Sequence, residues 1–385
     1  MKIFRLIMKN SRRHLLRTLL TIVGIAIAVT AFCVIRSAID AWYLGAAAAS
    51  PNRLITRNAI SLTFNIPLAY KEKIMQVPGV KDVSSATWFG GVYIDARNFF
   101  AKFAVDESNY FKIYPEYIVK PGQMEAFNRE RNAVIVGRGL ADRFGWKIGD
   151  QVRLVGDIYP GDWDFVIRGI YTGAKENTDE QTWFHHYEYL DERLRQETPV
   201  RAGQVGDFAV QIDDPSQASK ISAAIDKLFT NSLAETKTET EEAFMLSFVA
   251  MSSQLILGMR IISYLILGVV LMVLANTMAM AARERVKEYA VLKTLGFRTP
   301  HIISLILGES IFIAMIGGVV GVLLSFATIP LLAIALVAFL AKIPFTPLTL
   351  TLALLASFAV GLIAALFPTF KAVNTRIVDG LRAME

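Results

Sequence analysis

Four long apolar runs, broken by charged or alternating stretches, set the outline of the chain. The first, residues 18–35, reads TLLTIVGIAIAVTAFCVI, and helix-forming sequence continues to about Gly45. The second, residues 255–282, holds only Arg260 as a charge. Residues 302–328 and 348–367 supply the third and fourth. At a rise of about 1.5 Å per residue, runs of about 20 residues cross a hydrocarbon core of about 30 Å. Ahead of the second run, residues 240–254 lack Pro and Gly and place Phe244, Phe248 and Met251 at helical spacing. The pattern predicts one long helix whose first turns stand above the membrane as a stalk. The apolar segment 330–340 is too short for a further span, so it is read as interfacial.

Between the first two spans the pattern changes. LITRNAISLTF and VKDVSSATW read as strands flanking a short helix in IPLAYKEKIMQV. DFAVQID reads as a strand, followed by a helix in PSQASKISAAIDKLFT that begins at Pro215 or Ser216. Strand–helix–strand pieces at both ends predict one split α/β subdomain. The stretches NAVIVGRGLADRFG, QVRLVGD and FVIRGIYTG between them predict an inserted, strand-rich lobe.

Composition places the chain among membrane proteins with a sizeable soluble part: of 385 residues 54% are hydrophobic and only 19% charged. The net charge of +6 does not point to nucleic acid, because the cations flank the apolar runs. Six lie in residues 1–17 and five in residues 283–298, while Lys371, Arg376 and Arg382 follow the last span. Four spans put all three clusters on the cytoplasmic side, with both termini inside and the large domain outside. The first apolar run also has the length of a signal-peptide core. Its flanks instead lead us to read a retained span. Cys33 is the only cysteine, so no intramolecular disulfide is possible.

The motif RERVKEYAVLKTLG at 283–296 resembles the R-x-x-E-I-A/G-x-L-K-A-x-G signature of the MacB/FtsX-like ABC transporter permeases. Glu309 falls where that family often has an acidic residue. The ending FPTFKAVNTRIVDGLR is similar to the family's tail, retaining Pro368, Ala372, Leu381 and Arg382, with Gly380 in place of alanine. The resemblance covers nearly the whole chain and implies an α+β membrane protein with four transmembrane helices. Its large split α/β periplasmic domain comprises a Porter-like part and an inserted lobe.

The expected division is a cytoplasmic amphipathic helix at 1–17, the first span and stalk at 18–49 and the periplasmic domain at 50–239. A stalk and second span at 240–282 and a cytoplasmic coupling segment at 283–300 follow. The third span at 301–330, an interfacial segment at 331–347, the fourth span at 348–370 and a cytoplasmic tail at 371–385 complete the chain.

No G-x-x-x-x-G-K-[ST] phosphate loop is present, so no intrinsic enzymatic activity or cofactor is expected in this chain. The resemblance implies ATP and Mg in a separate ABC ATPase subunit, a second permease copy or paralogue, and a periplasmic adaptor with an outer-membrane channel. Arg283, Glu284, Arg285, Lys287 and Glu288 offer mixed charge for docking that ATPase, with Val291, Leu292 and Leu295 as an apolar face; the plainer reading is a solvated loop that fixes topology. Arg260 is expected to snorkel towards the outer interface, and Glu309 to seat the coupling segment against basic residues.

Adjacent His185 and His186 diverge in either a strand or a helix, so they make a poor chelate, and no metal site is assigned. WFHHYEYLDERL is instead read as a polar, aromatic surface. Trp88, Trp146, Trp163 and Trp183 are expected as core or interface anchors. Residues 156–164 are read as an exposed hairpin or loop.

The resulting expectation is a permease of the bacterial inner membrane, in which ATPase motion is transmitted mechanically to the periplasmic domain for adaptor-linked efflux. Lipoprotein or lipid extraction, and a scaffold activating a cell-envelope hydrolase, are the alternatives.

Overall fold

The computed structural model describes residues 15–175, 177–336 and 343–374. They divide into two compact units, one holding the chain through Asp40, Ser252–Ala335 and the chain from Ile343, the other Ala41–Met251. Helix α1, Leu15–Ala48, opens the chain and carries the first apolar run.

The larger unit is a mixed α/β domain. In chain order it contains β1 (Arg53–Asn58), β2 (Ile66–Pro67), α2 (Tyr70–Met75), β3 (Val80–Trp88), β4 (Ala101–Val105), α3 (Tyr110–Ile113), β5 (Tyr117–Ile118) and α4 (Pro121–Arg129). Then come β6 (Ala133–Gly137), α5 (Arg138–Phe144), β7 (Gln151–Gly156), β8 (Gly161–Gly173), β9 (Thr182–His186) and α6 (Tyr187–Glu197). The domain closes with β10 (Gln204–Val205), β11 (Asp207–Ile212), α7 (Ala218–Leu228), β12 (Thr236–Thr240) and α8 (Glu241–Met251).

Ten strands form one sheet in the order β12-β1-β11-β3-β4-β9-β6-β8-β5, with β7 paired to β8. Strands from the two ends of the domain build one half and the inserted strands the other. The two parts are continuous because β3 pairs with β4, and β4 runs parallel to β9. Alternation along the central strands sends side chains to two separate cores. Leu54, Phe208, Val83, Ala104 and Trp183 pack with Ile74, Leu190, Ile221 and Ile225 from α2, α6 and α7. On the other face, Ile55, Ala209, Val105 and Phe184 pack with Tyr110, Ile113 and Phe127 from α3 and α4.

That two-faced burial corrects one expectation. Trp183, Phe184, His185, His186, Tyr187 and Leu190 are interior rather than a polar, aromatic surface. Strand β9 lies between β4 and β6, and its two faces are covered by separate cores, Trp183 on one side and Phe184 on the other. The strand expected over 54–64 also stops at Asn58.

The smaller unit continues with α9 (Ser253–Glu284), α10 (Val286–Thr294), α11 (Thr299–Leu336) and α12 (Pro347–Asn374). Helices α1, α9, α11 and α12 are each long and apolar enough to cross a membrane. The stalk and second span, read as one helix from sequence, are interrupted at Ser252, where the backbone turns to φ −92° and ψ 8°. Helix α11 continues through Pro330 to Leu336 instead of ending at 330. A proline is tolerated in a spanning helix where its surroundings satisfy the freed backbone group. Of the amphipathic helix expected over 1–17, residues 1–14 lie outside the described residues, as do 337–342 of the expected interfacial segment 331–347 and the tail 371–385 from 375 on.

Within this unit Ile25, Val29 and Cys33 of α1 pack with Leu274 and Met278 of α9, Ile306 and Ile313 of α11, and Ala353 and Ala364 of α12. The 317–321 glycines set the spacing. A Cβ on Gly317 would lie 2.7 Å from Ile25, and one on Gly321 would lie 2.6 Å from the Ala26 carbonyl oxygen. The Thr30 hydroxyl donates to the Gly321 carbonyl at 3.0 Å across the same contact. Small residues four apart thus bring α11 against α1.

Candidate functional site

The charged break after the second span folds into α10. Gly296, at φ +86°, follows the last turn and lets the Phe297 amide return to the Leu292 carbonyl at 3.0 Å. Three polar contacts fix the segment to the spanning helices. Arg285 Nη1 donates to Glu309 Oε2 at 2.6 Å, with both side chains only 7% exposed. Burial lowers the Arg285 pKa, but the Glu309 carboxylate outweighs it, and the net direction is upward. Lys293 Nζ donates to the Val373 carbonyl at 2.9 Å, and Arg17 holds Glu284 through two bonds of 2.7 and 3.0 Å.

Tyr289 and Ala290 are buried, and Leu292 packs against the unit's core. Arg283, Lys287, Glu288, Val291 and Leu295 are left on the exposed side. The eight expected docking residues therefore divide. Arg285 and Leu292 point inward and hold the helix, Glu284 pairs with Arg17, and the other five share a surface of mixed charge with apolar residues among them.

The larger unit has a second polar centre at the point where its chain enters and leaves. Arg53 of β1 is 3% exposed and pairs with Glu241 at 2.8 Å and with Glu116 at 2.6 Å. Its guanidinium lies 3.8 Å from the Tyr114 ring centroid and donates to the Ile113 carbonyl at 2.7 Å. Burial works against the charge, but Tyr114 and the two carboxylates outweigh it and leave the pKa above the usual arginine range. Glu241, the first residue of α8, also accepts from the Ser50 amide at 2.7 Å. One carboxylate therefore ties the residues just after α1 to the start of α8.

Two family models match the chain. A MacB-like periplasmic core domain covers residues 18–228, and an FtsX-like permease C-terminal domain covers residues 260–377. The chain belongs to the MacB/FtsX-like ABC transporter permease family. It is similar along its length to an uncharacterized ABC transporter permease of Methanocaldococcus jannaschii, 24% identical over 405 residues, 97% of this chain and 96% of that protein. The macrolide export ATP-binding/permease protein MacB of Shigella boydii serotype 4 is 32% identical over 108 residues, 28% of this chain but 16% of MacB. The solved periplasmic region of MacB from Actinobacillus actinomycetemcomitans aligns at a TM-score of 0.38 and 10% identity, over 52% of this chain and 94% of that one.

In this MacB/FtsX-like permease the remaining sequence candidates fall in different places. Phe244 and Phe248 touch edge to face at 5.0 Å on α8, with Phe244 against the domain core and Phe248 and Met251 exposed. Arg260 is exposed on α9 and lines a cavity with α1 and α12.

His185 and His186 point to opposite faces of β9 and do not converge. His186 Nε2 bonds the Phe127 carbonyl at 2.8 Å, while neither ring nitrogen of His185 has a hydrogen-bond partner among the described residues. Trp146, Trp163 and Trp183 are buried, and Trp88 is half-exposed. Residues 156–164 do form the β7–β8 hairpin, but its tip is held down: Tyr159 is buried and the Trp163 indole donates to its carbonyl at 3.0 Å.

Sequence reading missed the Arg53–Glu241 pair. Its one signal was a charged residue opening a strand, Arg53 directly ahead of Leu54 and Ile55.

Proposed function

We propose that this chain is the permease subunit of an ATP-driven exporter that transmits ATPase motion mechanically to its outside domain, in adaptor-linked efflux. A separate ABC ATPase, with its ATP and Mg, docks on Arg283, Lys287, Glu288, Val291 and Leu295. The observation that carries this reading is the exposed mixed face of α10 on a segment fixed from within by Arg285–Glu309. A docking surface can pass force only if its own seat does not yield, and separating Arg285 from Glu309 would leave two buried charges uncompensated, which opposes such a movement. The covalent path then runs through α9 and α8 to Glu241, and the ion pair carries it on to Arg53.

The protein sits, in this reading, in a bacterial inner membrane with both termini cytoplasmic and the α/β domain periplasmic. Two permease copies or paralogues straddle two ATPase subunits, and an adaptor leads to an outer-membrane channel. The test is mass spectrometry of the intact complex purified gently from its native membrane. An ATPase together with an elongated adaptor is the expected result. A hydrolase in place of cargo-handling subunits would replace export with envelope regulation, and absence of any ATPase would sink both.

A further inference from the structure

The smaller unit contains a cavity of about 590 Å³ between α1, α9 and α12 that the coupling reading does not use. Its polar lining includes two arginines, Arg36 of α1 and Arg260 of α9, and no acidic side chain among the described residues lines it. Arg36 is partly neutralised: its Nη2 lies 3.2 Å from Asp40 Oδ1, and the other Asp40 oxygen accepts from the Thr349 hydroxyl at 3.2 Å. Arg36 Nε is buried without a hydrogen-bond partner. Arg260 has no ion-pair partner among the described residues and is exposed. The cluster of two guanidiniums and one carboxylate carries one uncompensated positive charge.

The depth of this charge follows from the helices themselves. Arg17 and Glu284 are paired, so the first turn of α1 and the last turn of α9 share a level. Arg36 lies nineteen residues beyond Arg17 and Arg260 twenty-four before Glu284, distances of about 28 Å and about 36 Å along the helices. The first ends near the far boundary of a hydrocarbon core of about 30 Å and the second a few ångströms beyond it, within the headgroup region. The arginines therefore sit where headgroups of the opposite leaflet lie, while Leu267, Leu355 and Ala359 line the same cavity with apolar surface.

We propose that this cavity binds one phospholipid of the leaflet on the side of the large domain, with an anionic headgroup between Arg36 and Arg260 and its acyl chains along Leu267, Leu355 and Ala359. Charge complementarity selects this occupant over a second copy of the chain. A twofold contact through the cavity would place one cationic cluster against its equal. The site is independent of the ATPase-coupling reading, and its test uses no nucleotide.

The experiment is native mass spectrometry of the full chain titrated with phosphatidylglycerol and, separately, phosphatidylcholine. Phosphatidylglycerol should bind one site about five-fold more tightly, the preference expected of one interfacial arginine acting on a net anionic headgroup. Arg260→Gln should bring the two lipids to parity, and Ala356→Trp should lower the occupancy of both. Equal binding of the two lipids by the unaltered chain overturns the proposal, as does a preference that survives Arg260→Gln. A dimer that Arg260→Gln dissociates without changing lipid preference also overturns it and assigns the cavity to subunit contact. Should Ala356→Trp not assemble, phosphatidylglycerol with a photoreactive acyl chain gives a second measurement. Labelling centred on Leu355 supports the site, and even labelling along the exposed face of α9 overturns it.

Discussion

Arg53 and Glu241 meet at 2.8 Å with side chains 4% and 5% exposed, although 188 positions separate them in the chain. Glu241 begins α8, and the Ser50 amide just after α1 bonds the same carboxylate. The start and the end of the α/β domain are thus fastened to one another through one guanidinium, which also reaches Glu116 and Tyr114. Its place between α8 and the sheet makes this cluster the natural fulcrum of the proposed transmission.

Arg53→Ala leaves two carboxylates at the cluster without their cation and should cost about 3–5 kcal/mol, the range for breaking a buried pair. Glu241→Gln keeps Glu116 against Arg53 and should cost less, about 1–3 kcal/mol. Denaturation of the full chain in detergent reads both. The transmission reading adds that Glu241→Gln reduces cargo movement per ATP hydrolysed; wild-type coupling in a variant of lowered stability would confine the pair to a structural role.

Arg283 and Arg285, two positions apart in the coupling segment, should separate cleanly. Arg283→Glu with Lys287→Glu alters only exposed side chains, and should abolish co-purification of the ATPase while leaving the melting temperature within a degree or so. Arg285→Ala strands Glu309 and should destabilise the smaller unit by about 3–5 kcal/mol, whereas Arg285→Met with Glu309→Leu should recover most of that loss. Undiminished ATPase association in the double reversal would remove the docking claim.

Legibility in the sequence followed the physics of each element. The spans were readable because a bilayer demands long apolar runs, and β3 because the nine residues after the Pro78–Gly79 turn, VKDVSSATW, have few other options. The interior position of His185 and His186 was not readable. A strand with neighbours on both sides and helices over both faces buries polar residues that local composition assigns to the surface. Arg285 stood among exposed charges in the motif, and only the fold shows it turned towards Glu309. Arg53 and Glu241 were hidden for a different reason: their pairing is a product of sheet topology, with β12 beside β1, and no local pattern encodes that adjacency.

The glycine contact between α1 and α11 gives a graded test. Gly317→Val and Gly321→Val each place side-chain atoms inside contact distance of α1, so each should cost about 1–3 kcal/mol. Gly24→Ala is the control, since nothing lies within 4 Å of a Cβ there. Unfolding in a graded denaturing detergent should rank Gly24→Ala with the unaltered chain and both valine variants below it. A Gly317→Val chain as stable as Gly24→Ala would mean that the two helices do not hold this spacing in the membrane.

His185 supplies the pH test. Its ring centroid lies 4.7 Å from that of Phe89 and 4.9 Å from that of Phe165, and burial pushes its pKa down to about 3. The unfolded chain holds this histidine at the ordinary value of about 6.5. Between those values the unfolded state binds a proton that the folded state refuses, so stability falls as pH falls from about 6.5 towards 3. One such group contributes a slope of ~1.4 kcal/mol per pH unit at most. His185→Leu removes the titration while keeping the site apolar and similar in volume. Comparing the two chains by denaturant unfolding at several pH values cancels every other titrating group. The difference in stability should be constant above about pH 7 and shift in favour of the leucine variant below 6. A difference independent of pH throughout would mean that the imidazole at this position accepts its proton within the folded core.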